Sequence, residues 1–151
     1  MNKKVIVGIA LGAILLTSIV GVMNLSPQQD TTKIKDIEKK REESLNFIDW
    51  ASVSWQQGTI NSTQFIAIIN KSITDTEALR QEYLSLNVHP TYDKYKRLSL
   101  DSLDKQKEAF LKLKEYVQTE DSEARQQIRS EFDQLITTSF EYRRDALREV
   151  G

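Results

Sequence analysis

The chain has no cysteine, one histidine, two prolines and five glycines in 151 residues. Without cysteine there is no disulfide, no thiolate nucleophile and no Cys-based metal site, so a domain facing the outside must rely on packing alone. With only His89 there is no Glu-x-x-His pair of the kind that lines di-iron bundles, and no zinc spacing. No glycine-rich phosphate loop occurs. Hydroxyl residues are plentiful, but a hydroxyl nucleophile needs a neighbouring base. His89, beside Pro90 in a loop, reads as a solvent-facing or capping residue. The expectation is no catalytic residue, no metal and no cofactor. No basic block occurs either, which excludes a nucleic-acid footprint.

One long apolar run is present, "KKVIVGIALGAILLTSIVGVM". Val5 to Met23 is nineteen residues without a charge. As a helix rising ~1.5 Å per residue, it matches the roughly 30 Å hydrocarbon core of a bilayer. Lys3 and Lys4 precede it and the next charge is Asp30, which predicts a cytoplasmic N-terminus and an extracytoplasmic remainder. A cleavable signal has a shorter apolar region and a small-residue cleavage site. The exit "SIVGVMNLS" matches that poorly, so residues 1–26 read as an uncleaved signal-anchor, with a linker at 27–30. Gly8 and Gly12 have the GxxxG spacing of helix packing within a membrane.

Removing residues 1–23 leaves 128 residues with 19 Lys+Arg and 22 Asp+Glu, a net charge of −3 with the signs interspersed. That length suffices for one domain with its own core. Breakers are few, which favours long helices. Apolar residues recur at steps of three and four over about 31–57, 62–86, 91–118 and 123–149. The first stripe holds Ile34, Ile37, Leu45, Ile48, Ser52 and Trp55, interrupted by Arg41, whose long side chain is expected to snorkel from the membrane-facing end. The fourth is read as Ile128, Phe132, Leu135, Ser139, Tyr142, Ala146 and Val150. Four helices of matched length with short connections predict an all-α fold, an up-down-up-down antiparallel four-helix bundle over residues 31–151.

The connections have their own chemistry. In "WQQGTINSTQF", Gly58 is a left-handed stop, Asn61 an N-cap with Gln64 completing a capping box, and Ile60 with Phe65 a hydrophobic staple. Pro90 suits the first turn of the third helix, and Asp121 or Ser122 the cap of the fourth. "SWQQGTINSTQFIAIINKSI" and "HPTYDKYKRLSLDSLDKQKEAFLKLKEY" resemble segments of small membrane-anchored extracytoplasmic helical-bundle proteins of archaeal type, of unknown function. The resemblance implies a surface-exposed bundle and no activity.

Clustered carboxylates (Asp101, Asp104 and Glu108; Glu141 and Asp145) read as solvated faces with ion pairs, Glu141 to Arg144 and Asp145 to Arg148. Sequons at Asn61 and Asn70 are candidate glycosylation sites. Apolar excess is more telling. Phe47 and Trp50 crowd the first helix, with Trp50 about 200° around the axis from Ile48. Ile66 and Ile68 exceed the second stripe. These four are the candidate partner-binding residues, at the membrane-distal end. The expected function is a single-pass, membrane-anchored, non-enzymatic interaction or structural module. The lipid bilayer would be met through residues 5–23, and a protein partner or a homo-oligomer through the bundle. The alternatives are a ligand-binding or sensor-like bundle working with a partner subunit, and a secreted soluble bundle after signal cleavage.

Overall fold

The computed structural model describes residues 31–150. The anchor at residues 5–23, Gly8 and Gly12, the linker at 27–30 and Gly151 lie outside the described residues. Among the described residues there are four α-helices and no strand: α1 (Thr31–Gln56), α2 (Ser62–Ser85), α3 (Asp93–Gln118) and α4 (Ser122–Arg148). None of them is long and apolar enough to cross a membrane.

Short polar motifs set the boundaries. Gly58 adopts φ 76°, which lets its N–H reach the Trp55 carbonyl at 3.0 Å and the Thr59 N–H reach the Ser54 carbonyl at 2.8 Å. An added Cβ there would meet nothing within 4 Å. The demand for glycine is therefore conformational: an L-residue in this region costs about 1–2 kcal/mol. Asn61 accepts from the Gln64 N–H, and the Gln64 side chain accepts from the Asn61 N–H, both at 2.9 Å, closing the capping box. The staple partners Ile60 and Phe65 join one apolar cluster. At the next connection the Thr91 N–H donates to His89 Nδ1 at 3.3 Å, and Pro90 opens a 3₁₀ turn over Pro90–Tyr92. That tighter turn is why α3 starts at Asp93 instead of the expected Thr91. Asp121, not Ser122, caps α4 by accepting from the Ala124 N–H at 2.8 Å.

Helix directions follow from the bonds between helices. Along α3 and α4 the partners are Lys94 with Glu149, Ser102 with Ser139 and Lys112 with Glu131, one number rising as the other falls. Between α2 and α3 the partners are Glu77 with Lys107 and Arg80 with Asp104. Between α1 and α2 they are Trp55 with Ser62 and Lys40 with Glu82. Consecutive helices are thus antiparallel neighbours in a helical bundle. The α3/α4 pair is the most intimate, because small residues face each other. Ser102 Oγ donates to the Ser139 carbonyl at 2.6 Å and Ser139 Oγ returns the bond to the Ser102 carbonyl at 2.7 Å.

The core is divided. One cluster, at the end holding the α1–α2 connection, contains Leu45, Ile48, Phe65, Ile69, Phe110, Phe132 and Phe140. The other contains Ile34, Ile37, Leu79, Leu86, Leu103, Ala146 and Val150, with Tyr83 and Tyr95. Of the seven positions expected on the fourth stripe, Ile128, Phe132, Ser139, Ala146 and Val150 are buried. Ile136, Phe140 and Arg143 are also buried, while Leu135 and Tyr142 are half-buried.

Candidate functional site

Two features carry chemistry beyond ordinary packing. The first lies between the two apolar clusters, where all four helices contribute polar side chains. Arg41 is fully buried at 0% exposure. It does not snorkel to the bundle end, because acceptors wait inside. Its Nε donates to Gln106 Oε1 at 3.0 Å and its Nη2 to Ser102 Oγ at 2.6 Å. Gln106 Nε2 donates onward to Thr76 Oγ1 at 3.1 Å, and Thr76 donates to the Ser72 carbonyl at 2.7 Å. One turn before Arg41, the buried Glu38 accepts from Arg143 Nε at 3.0 Å and Nη2 at 2.9 Å, and also from the Tyr83 hydroxyl. Tyr83 in turn meets Tyr95, hydroxyl to hydroxyl, at 2.9 Å.

The electrostatics follow from burial. Desolvation pushes the Glu38 carboxyl up. Arg143 first, then Arg41 and the Tyr83 hydroxyl, outweigh it and hold the group below its ordinary value. Desolvation pulls Arg41 down to about 10, with the like charge of Arg143 adding to it. Desolvation, then the Glu38 charge, pushes both Tyr83 and Tyr95 up, so both remain neutral donors. Two guanidiniums share one carboxylate, and Arg41 Nη1 finds no hydrogen-bond partner within the protein. The groups in this layer are tied to one another, and none is placed as a free acid or base.

A pH prediction follows. A carboxyl held low in the fold adds stability above its unfolded value of about 4.3, and that stability is lost as pH falls through the lower folded value. The melting temperature should be flat from neutral pH to about pH 5 and fall steeply below about pH 4. Glu38→Gln should flatten that slope. An unchanged acid limb in Glu38→Gln would show that the carboxylate contributes nothing.

The second feature is the outer side of α1. Phe47 and Trp50 stack with ring centroids 5.7 Å apart and planes 17° apart, and they are 42% and 55% exposed. Val53, also exposed, continues the patch one turn on. Beside it, between α1 and α2, runs a groove of about 510 Å³ lined by Phe47, Ala78 and Leu79, with Lys40, Glu43, Lys71, Asp75 and Glu82 around it. Lys40 is held by Asp36 at 2.7 Å and Glu82 at 3.0 Å, and Lys71 by Asp75 at 2.5 Å. Ser44 also lines the groove, and its hydroxyl oxygen is buried with no hydrogen-bond partner.

The candidate residues separate. Phe47 and Trp50 come together as an exposed pair. Ile66 and Ile68 are half-buried and pack against the cluster at the α1–α2 connection. Two residues apart, they sit about 200° apart around α2, on opposite flanks. Asn61 is exposed but its side-chain oxygen is engaged in the cap, and Asn70 is exposed in mid-helix. Of the clustered acids, Asp104 forms a two-point contact with Arg80 at 2.6 and 3.4 Å, and Glu108 pairs with Lys105 at 2.7 Å. Asp145 pairs with Arg148 at 3.3 Å and with Arg144 at 3.5 Å. Among the described residues no group of three acidic or histidine side chains is placed to hold a metal ion.

Sequence reasoning passed over Glu38 and Arg143. A signal was present: Glu38 stands three residues before Arg41 and Arg143 four after Ser139, each on the line of a buried stripe. No family model, curated protein or solved structure matches this chain.

Proposed function

We propose that the chain is a non-enzymatic interaction module. In this reading residues 5–23 hold it in a membrane, with its helical bundle on the extracytoplasmic side, and it docks a protein through the outer side of α1. One observation carries the reading: an exposed, stacked Phe47–Trp50 pair at the edge of a groove. Large apolar side chains left wet add nothing to folding, whereas contiguous exposed apolar surface marks contact sites. Aromatic residues dominate such contacts when they are desolvated. The nineteen uncharged residues from Val5 to Met23 and the basic flank support the anchored placement. The mutual satisfaction of the buried Glu38, Arg143, Tyr83 and Tyr95 supports a structural use of these groups.

Affinity capture of the full chain from intact membranes, beside its Trp50→Gln variant, tests this reading. Trp50→Gln should lose a stoichiometric protein partner by about tenfold or more and leave the melting temperature nearly unchanged. A variant that melts far lower while retaining its partner would make Trp50 a folding residue and overturn the proposal. The groove favours a second reading, since its volume lies in the ~300–1,000 Å³ range of small-ligand sites. A small molecule co-purifying with the parent protein would favour that reading.

A further inference from the structure

The geometry points to a second copy of this chain as the protein that docks on α1, each copy seating its Trp50 in the groove of the other. The inference rests on the docking function proposed above and names its partner. Three observations carry it.

The first is that projection and recess lie side by side on one face. Trp50 and Glu43 are seven residues apart, two turns of helix, and so lie on nearly the same line of α1 about 10 Å apart. Glu43 lines the groove, and Trp50 is exposed beside it, stacked on the groove-lining Phe47. A two-fold axis midway between them, near Asn46 and Phe47, carries each Trp50 onto the other copy's groove. A surface that bears both halves of a contact in this arrangement is complementary to itself, the property that an isologous dimer requires.

The second is chemical. The indole Nε1–H is a donor with no acceptor function. The groove contains an acceptor in need of a donor, the buried Ser44 hydroxyl without a partner. Lys40 and Lys71 at the groove supply ammonium groups that favour the face of an aromatic ring.

The third is charge. From Ser44 to Gln57 the only ionisable residue is Asp49, which is half-buried. The exposed positions of that stretch include Asn46, Phe47, Trp50, Val53 and Gln57. With the axis near Asn46 and Phe47, the uncharged strip of each copy lies over residues 36–49 of the other, so its exposed side chains oppose no like charge. The two α1 helices then run in opposite directions, so copies held by their N-termini would meet from facing membranes.

The absence of native cysteine makes a clean test possible. Full-length Asn46→Cys, in detergent where copies orient freely, is treated with a short bis-maleimide. Glu108→Cys, at an exposed position on α3, is the control. Asn46→Cys should cross-link predominantly to dimer and Glu108→Cys only at background. Adding Trp50→Glu to Asn46→Cys should reduce the dimer about tenfold or more, with circular dichroism confirming an intact fold. Equal cross-linking at the two positions, or a dimer that survives Trp50→Glu, overturns the inference. If Asn46→Cys fails to cross-link while Trp50→Gln still loses a captured partner, the second-copy inference falls and the docking function stands. If capture is also unaffected, both fall.

Discussion

Replacing Glu38 with leucine should cost about 3–5 kcal/mol of stability, because it leaves Arg143 buried without its carboxylate and Arg41 with a like charge and no counter-charge. The Tyr83 hydroxyl would lose its acceptor and retain only Tyr95. Neutralising the whole set is a different experiment. Glu38→Leu combined with Arg41→Met and Arg143→Met should recover most of the loss, since a buried ion cluster exchanged for apolar groups of similar volume is often neutral or stabilising. The remaining partners support that outcome. Ser102 and Ser139 already donate to each other's carbonyls, and Gln106 keeps Thr76. Urea denaturation of the single and triple variants checks both claims. A single variant as stable as the parent would mean that the layer is not electrostatically coupled.

Phe65→Ala should cost about 3–5 kcal/mol, the usual range for emptying a buried aromatic site. Phe65 is fully buried and stacks on Trp55 at 5.2 Å, which in turn meets Tyr116 edge-on at 6.2 Å. It is also the fourth residue of α2, where it completes the staple with Ile60. Truncation would therefore loosen the start of α2 and the core at the α1–α2 connection together. Thermal melts should show the effect beside Trp50→Gln, which sits only fifteen residues earlier in the chain. A loss below about 1 kcal/mol for Phe65→Ala would show that the cluster around it collapses to fill the site.

These contrasts indicate what the chain discloses before it folds. The α1–α2 connection was legible residue by residue, because caps and glycine stops act within a few positions and need no tertiary partner. The same holds in part for Pro90, which opens a 3₁₀ turn ahead of α3, and for the α4 cap, which the sequence left between Asp121 and Ser122. Most of the first apolar stripe was legible for a related reason: helical period and burial agree at Ile34, Ile37, Leu45, Ile48 and Ser52. The polar layer was not. Periodicity counts apolar residues, so Glu38 and Arg143 read as surface, and Arg41 as a side chain escaping to solvent. Their burial depends on partners 105 and 65 positions away, Arg143 for Glu38 and Gln106 for Arg41. On α4 Ile128, Phe132, Ser139, Ala146 and Val150 were legible by the same agreement of period and burial, whereas Leu135 and Tyr142 are only half-buried and Ile136, Phe140 and Arg143 add to the buried face. At the candidate site, Phe47 and Trp50 stood out because they overfill a stripe. Whether an overfilled stripe means a wide core or a wet patch depends on neighbouring helices, and Ile66 and Ile68 fall on the core side of that division.

The layer of Glu38, Arg41, Gln106 and Arg143 also bears on how the helices are aligned along their length. Aliphatic side chains are tolerant of sliding. If α1 moved one turn, about 5.4 Å, Leu45 would arrive where Arg41 now lies, but Arg41 would take the place of Ile37, Glu38 that of Ile34 and Asp49 that of Leu45. The polar groups do not tolerate that shift. Arg41 would be carried away from Ser102 and Gln106, and Glu38 away from Arg143 and Tyr83, with every charge still inside. Each wrong alignment therefore strands a charge in the interior, and only one setting of the four helices does not. The layer works as an index mark: among axial alignments of α1 it favours the one in which these buried charges meet their partners.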